Sequence, residues 1–287
     1  MVRTVLGIDL GGTKIAAGRY NVQTWQCEAE ASASTHAKKG FPYVLKTISG
    51  LVKQLKTPTT ASIGIGIPGL VTRPKGTILK LPNVPGAQGF TPAHAAVALG
   101  LPVTFENDAN CFTLAESVAG AGKGHSVVVG ITLGTGVGGG IVIDGKIFTG
   151  AHGYAAEIGH MLLRPGETPY PMEHPRGDAE EFLSGTAMGK RCKAAENPQE
   201  YLEGSVCSFL QPQVFEEVAW LCTSLTHLLD PSVIVFGGSA GRALGPHLAT
   251  IEKELQKWML SGVPLPKLAV AEREDAGVLG AAMIAKN

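Results

Sequence analysis

A seven-residue pattern occurs twice in the chain. Gly7-Ile8-Asp9-Leu10-Gly11-Gly12-Thr13 matches Gly130-Ile131-Thr132-Leu133-Gly134-Thr135-Gly136 at four of seven positions, 123 residues apart. Each copy follows a run of apolar β-formers and runs into a glycine turn. Two strand–turn–strand units of this kind point to a duplicated α/β domain with a ligand between the halves. Chance similarity between short glycine-rich segments is the competing reading. The composition favours the first: 38 of 287 residues are glycine, about 13% against a typical 7%. They are clustered and lack a collagen period, as tight turns and close backbone–ligand approach require.

Lys+Arg and Asp+Glu number 24 each, so the formal net charge is zero. That leaves no basic footprint for DNA or RNA, and no nucleic-acid partner is expected. A hydrophobic content of 44% excludes wholesale disorder. The five cysteines, Cys27, Cys111, Cys192, Cys207 and Cys222, form no Cys-x-x-Cys pair. They read as buried thiols in a reducing cytoplasm, not as a disulfide framework. The N-terminus lacks the apolar run of a signal peptide. Gly124–Ile143 carries no formal charge over twenty residues and is long enough to span a bilayer. Its seven glycines make a poor helix, so it is expected as two strands around a glycine turn, with no membrane partner.

Strands are expected at Val5–Leu10 and Ile15–Gly18. Val44, Leu45, Ile48, Leu51, Val52 and Leu55 have helical spacing within residues 41–56. Ala61–Ile67 reads as a buried strand, and Thr91–Leu99 as a helix with Pro92 in its first turn. Val103–Phe105 reads as a strand with Glu106-Asn107-Asp108 at its end and a helix over Ala109–Val118. Val127–Leu133 and Gly140–Ile143 read as strands, the latter entering an Asp144-Gly145 hairpin. Residues 165–178 read as a loop and Val214–Leu229 as a helix. Ser232–Phe236 reads as a strand ended by Gly237-Gly238, and Asp275–Ala285 as a helix.

Successive backbone N–H groups in a glycine turn form an anion nest, and two such turns suit a polyphosphate. Asp9, at the end of the first strand, is placed to hold Mg²⁺ directly or through water. Thr13 and Thr135 add hydroxyls. Ligand-free hairpins are the alternative. Two further matches mislead. Gly64–Gly69 and Gly134–Gly139 fit GxGxxG, but neither opens a helix as a dinucleotide site requires. Gly140–Lys146 falls short of a phosphate-binding P-loop because Ile147 stands where Ser or Thr is needed.

Glu106-Asn107-Asp108 sets two carboxylates and an amide at a strand's C-terminal end, where α/β sheets bind ligands. A carboxylate there can take the proton of a hydroxyl that attacks a phosphate. On residue type alone, Asp108 fits a helix N-cap better. Glu157 and His160 share a face if their segment is helical. A sugar-hydroxyl or metal role and a plain surface pair both stay open. Glu180-Glu181 reads as a solvated helix start, with acids at the positive end of the dipole.

DLGGTK (Asp9–Lys14), GIGIPG (Gly64–Gly69), ENDAN (Glu106–Asn110), LGTGVGGG (Leu133–Gly140), EIGH (Glu157–His160), VFGG (Val235–Gly238) and DAGVLGAA (Asp275–Ala282) occur in one order. Together they resemble the ROK family of bacterial sugar kinases, over about residues 5–285. Each is weak alone; the ordered set is specific. The resemblance implies an α/β, actin-like ATPase (ribonuclease H-like) fold with two domains and an active-site cleft. The expected domains are 1–109, completed by a C-terminal helix at 275–287, and 110–274. Asp9, Gly11, Gly12, Thr13 and Lys14 would form one phosphate loop, and Gly134, Thr135, Gly136 and Gly138 the other. Gly237 and Gly238 would lie by the adenosine. Asp108 would be the general base for the sugar 6-hydroxyl, overturning its reading as a cap. Gly69, Asn83, Asn107, Asp108, Glu157, His160 and Glu180 would hold the sugar, whose vicinal hydroxyls need paired donors and acceptors.

One departure stands out. Most members carry Cys-x-Cys-Gly-x-x-Gly-Cys after the EIGH segment, which binds zinc with the histidine. Aligned on Gly177 and Ser184-Gly185, this chain has Pro171, Glu173 and Asp178 in the cysteine positions. A structural zinc site is therefore not expected, nor is a harder site of His160, Glu173 and Asp178. Packing or hydrogen bonds must hold the loop, which puts the orientation of His160 in question. Repressors of the family carry an N-terminal helix-turn-helix, for which a phosphate loop at Asp9 leaves no room. The resemblance thus implies a cytoplasmic, ATP- and Mg²⁺-dependent kinase for the 6-hydroxyl of glucose or N-acetylglucosamine. Its partners would be sugar and ATP, and a homodimer is the family habit. Fructose, mannose and N-acetylmannosamine are alternative acceptors. A non-catalytic sugar sensor is the competing class, and another actin-like ATPase is disfavoured by the short chain and the EIGH segment.

Overall fold

Two five-stranded sheets are built from the apolar runs and glycine turns seen in the sequence. The computed structural model describes residues 2–195 and 197–286. Unit 1 comprises Met1–Ala115, Phe148–Ala155 and Arg273–Asn287; unit 2 comprises Glu116–Ile147 and Ala156–Glu272. Where the sequence reading drew its boundary at 109/110, these units divide at 115/116, and Phe148–Ala155 returns to unit 1.

In unit 1, β1 (Thr4–Leu10) turns into antiparallel β2 (Lys14–Asn21), which pairs with β3 (Cys27–Ser34). Helix α1 (Phe41–Leu55) follows, burying Phe41, Val44, Ile48, Leu51, Val52 and Leu55. Strand β4 (Thr60–Ile67) lies parallel to β1. The small hairpin β5 (Leu70–Val71) and β6 (Ile78–Lys80) leads to α2 (Pro92–Leu99), whose Thr91 cap closes a reciprocal box with His94. Strand β7 (Val103–Asn107), parallel to β4, completes the order β3-β2-β1-β4-β7 and feeds α3 (Asp108–Ala119).

Unit 2 repeats this plan. β8 (Val127–Leu133) pairs with antiparallel β9 (Val137–Ile143), and β9 with β10 (Lys146–Ile147). The helices α4 (Ala179–Leu183), α5 (Gly185–Arg191) and α6 (Gln211–Leu229) precede β11 (Val233–Gly237), which lies parallel to β8. Then come α7 (Gly238–Ala243), α8 (Leu248–Trp258) and β12 (Lys267–Val270), parallel to β11. The order β10-β9-β8-β11-β12 matches that of unit 1 strand for strand. The uncharged stretch 124–143 is β8, its turn and β9. Among the described residues no helix is long and apolar enough to cross a membrane.

Two cysteines depart from the reading as thiols. Cys192, at the end of α5, and Cys207 form a disulfide, with Cα atoms 6.1 Å apart. Fifteen residues separate them in sequence, and sequence spacing carries no information on spatial approach. Cys111 and Cys222 are buried thiols, whereas Cys27 is exposed.

The C-terminal helix Ala276–Ala285 is made of small and apolar residues and is buried almost throughout. It packs on β1 and β4 because those strands carry Gly7 and Gly64 on the facing side. A Cβ on Gly7 would overlap the Val278 carbonyl oxygen, and one on Gly64 that of Ala281. Gly64→Ala is expected to destabilise the protein by about 3 kcal/mol through this backbone collision. Gly50, exposed in α1 with open space around it, is the contrast. Gly50→Ala should stabilise by about 0.5–1 kcal/mol through helix propensity. Denaturant titration of both variants checks the pair.

Candidate active site

The first glycine turn joins β1 to β2. Leu10 pairs with Ile15, and Gly11 N–H donates to Lys14 O at 3.0 Å, closing the loop. Buried Thr35 holds it from behind: its hydroxyl donates to Gly11 O at 2.7 Å and its N–H to Thr13 O at 2.9 Å. Gly12, Thr13 and Lys14 are exposed, and the space where Gly12 would carry a Cβ is empty. The carbonyls are thus turned inward to Thr35, an arrangement suited to an anion. Thr35 has no motif that would have marked it.

Asp9 pairs in register with Ala16 and Gly66. Its carboxylate meets the first turn of the C-terminal helix at Gly277, where a Cβ would stand 2.7 Å from Oδ2. Burial pushes the Asp9 carboxyl up to about 6, since desolvation penalises the charged form. A cation beside it would lift that penalty. A glycine that makes room for the carboxylate and the carboxylate's own hard oxygens fit Mg²⁺ carried in with a nucleotide.

The second turn, in unit 2, is one residue shorter: Leu133 pairs with Val137. Gly134 N–H donates to Gly136 O at 3.0 Å. Here the clamp comes from α4 and α5. Gly185 N–H donates to Gly134 O at 2.7 Å, and the Thr186 hydroxyl to Thr135 O at 2.8 Å. Glu180 Oε2 accepts the Val137 N–H at 3.0 Å. A Cβ on Gly136 would stand 2.6 Å from that oxygen. Glu180 is therefore not the solvated helix-start acid of the sequence reading; it is tied to the turn. Gly138 lies in β9 opposite Thr132, and Gly237, which ends β11, is also beside Thr132. Gly238 opens α7 at φ 76°, and a Cβ there would overlap the Leu133 carbonyl oxygen.

The ENDAN segment divides its work residue by residue. Buried Glu106 is paired with Arg73 and accepts from Asn107 N–H at 2.9 Å and Asn110 Nδ2 at 3.1 Å. Asn107 Oδ1 accepts from the N–H groups of Ala109 and Asn110 at 2.9 and 3.1 Å, and Nδ2 donates to Gly69 O at 3.2 Å. The cap of α3 therefore falls to Asn107, and Asp108 is the first helical residue, its Oδ1 2.9 Å from Ala109 N. This corrects the reading of Asp108 as the cap. Arg73, 33 residues from Glu106, carried no sequence signal. Asn83 is exposed in the irregular chain before α2.

In unit 2, EIGH forms a single 3₁₀ turn over Ile158–His160 with Glu157 as its cap residue, not a helix face. Burial raises the Glu157 carboxyl above its ordinary range, His160 pulls it back and Glu180 raises it again. The loop that follows closes through hydrogen bonds. Leu163 and Arg164 N–H donate to Gly177 O at 2.8 and 3.1 Å. The Glu181 carboxylate accepts from Arg176 and Gly177 N–H at 3.0 and 2.8 Å. Asp178 caps α4 and lies 3.1 Å from His160 Nδ1. These residues do not fit a zinc ion. His160 and Asp178 are bonded to each other, Pro171 and Glu173 are exposed, and no three ligating side chains cluster among the described residues.

Residues 5–287 match the ROK family. The chain belongs to the ROK family. Its fold is the actin-like ATPase fold of the ROK structures it resembles. It is 33% identical to the N-acetyl-D-glucosamine kinase of Vibrio atlanticus, over 97% of this chain and 98% of that one. Among solved structures, the ROK hexokinase of Thermus thermophilus is 29% identical, with a TM-score of 0.81 over 99% of this chain and 98% of that one. The ROK glucokinase of Streptomyces griseus, solved with glucose and AMPPNP, is 30% identical, with a TM-score of 0.76 over 99% of each chain.

The raised Asp9 carboxyl of this ROK chain has a consequence for stability. The native state keeps the proton up to about pH 6, whereas the ordinary value is 3.8. Stability therefore falls as pH rises through that window, by at most about 3 kcal/mol, and the loss is complete above it. Asp9→Asn should stabilise the ligand-free protein at pH 7.5, with the gain fading below pH 4. Urea titrations at the two pH values check this.

Proposed function

We propose that this chain is an ATP-dependent hexose kinase acting on the 6-hydroxyl of glucose or N-acetylglucosamine. The observation that carries the reading is Asp108 at the C-terminal end of a parallel strand, in a ROK chain that keeps both glycine turns. Asp108 takes the 6-hydroxyl proton as O6 attacks the γ-phosphorus in line. The bond to the β–γ bridging oxygen breaks and ADP leaves with Mg²⁺. Amides of the two turns that are not already bonded within them, in Gly12–Lys14 and Thr135–Gly136, stabilise the transferring phosphoryl group beside Gly11, Gly134 and Gly138, Asp9 would hold Mg²⁺ directly or through water, and Gly237 and Gly238 lie by the adenosine. Gly69, Asn83, Asn107, Glu157, His160 and Glu180 hold the sugar. Asn107 does so with its second amide hydrogen and Glu180 with Oε1, since their other groups are already bonded. The requirement for ATP places the reaction in the cytoplasm.

The names of the relatives support both acceptors, and a sugar panel decides between them. In an ADP-release assay with Mg-ATP, wild type is expected to turn over one of the two sugars best. Asp108→Asn should lower kcat by about 10²–10⁴-fold with little change in sugar KM. Full activity in Asp108→Asn would remove Asp108 as the base, and sugar binding without turnover in wild type would favour the sensor class. Glu180→Ala should raise KM for both ATP and sugar, because the same carboxylate grips the Val137 N–H beside the second turn. A change confined to sugar KM would contradict that double role.

A further inference from the structure

We propose that Asp178 is a positioning residue that fixes the His160 ring with its proton on Nδ1, so that Nε2 is presented as a hydrogen-bond acceptor to a sugar hydroxyl. The identity of the ligand rests on the kinase reading above; the state of the ring does not.

His160 Nδ1 lies 3.1 Å from Asp178 Oδ2. An ionised carboxylate only accepts hydrogen bonds, so the shared hydrogen belongs to Nδ1. In the neutral ring, Nε2 then carries the lone pair. The His160 side chain is 51% exposed and that of Asp178 4%. No hydrogen-bond partner of Nε2 occurs among the described residues.

Asp178 is anchored independently of the histidine. Its Oδ1 accepts the Glu181 N–H at 3.1 Å, capping α4. It forms a β-bridge with Leu162, and Ala179 N–H donates to Met161 O at 2.8 Å. Arg176 Nε lies 3.6 Å from Asp178 Oδ2, a cationic group beside the oxygen that faces His160. Glu157, the other charged neighbour of the ring, is on the EIGH turn itself. The carboxylate is thus a fixed point, and the half-exposed imidazole takes its orientation and tautomer from it. A ring fixed in this way offers a lone pair to a hydroxyl donor, which fits a polyol.

The test is ¹⁵N NMR of the ligand-free protein at pH 8.5, with the ring signals assigned by their loss in His160→Gln. Wild type is expected to show a pyrrole-type Nδ1 and a pyridine-type Nε2. Asp178→Asn keeps an oxygen for the α4 cap and turns its amide N–H toward His160, so the proton should move to Nε2. At the same pH this variant is expected to raise sugar KM about tenfold, the scale of lost outer-shell support. KM for ATP and the thermal midpoint should stay at wild-type values, which a merely structural role for Asp178 would not produce. A proton on Nε2, or on both nitrogens, in wild type overturns the proposal. So does an Asp178→Asn protein with a switched tautomer and unchanged sugar KM. If wild type phosphorylates no sugar, the kinase reading fails separately. The NMR result still decides the tautomer, and the calorimetric Kd for glucose and N-acetylglucosamine replaces KM.

Discussion

Everything proposed for this protein depends on glycine turns whose carbonyls are held from behind. A turn with unrestrained carbonyls gains nothing from glycine except freedom. At Gly11–Lys14 the restraint is Thr35, a buried threonine that bonds two carbonyls of the turn. At Gly134–Gly136 it is Gly185 and Thr186, which donate to the Gly134 and Thr135 carbonyls. In both places the hydrogen-bonding work on the carbonyl side is done by the protein. Turns held in this way are organised in the ligand-free protein, which is what the proposed electrostatic stabilisation of a transferring phosphoryl group requires.

The two sheets share a strand order, yet their turns are not copies. The first closes with Leu10 opposite Ile15, the second with Leu133 opposite Val137. The first is followed by Lys14 and preceded by Asp9, while the second has Thr132 where Asp9 stands. The duplicated plan therefore supplies two glycine turns, and the differences assign the acidic group, with its raised proton affinity, to one of them.

The buried strands were readable because β1, β4, β8 and β11 are nearly continuous apolar runs. The stripe of α1 was readable from its period. Strand β3 was missed because CEAEASAS has only small apolar residues and a largely exposed face. Helix α8 was missed because its core contact is reduced to Ile251 and Leu255. At the candidate site, the motif residues were recoverable from their order, but the division of labour was not. That Asn107 caps α3 follows from where β7 ends. Asp178 beside His160 was within reach of the alignment that set Asp178 in a cysteine position of the family's zinc site, whereas the pairing of Arg73 with Glu106 follows from long-range approach. The Cys192–Cys207 bond belongs to the same class: the partners are adjacent only after folding.

Transfer of a phosphoryl group to a primary sugar hydroxyl leaves a covalent record. The protein, incubated with Mg-ATP and ¹³C-labelled glucose or N-acetylglucosamine, can be followed by ¹³C and ³¹P NMR. A new phosphate monoester coupled to C6, formed in step with ADP, is the result expected of a turn-bound phosphate and an Asp108 base. ADP formed with free inorganic phosphate and unchanged sugar, or an ester at any other carbon, would contradict it.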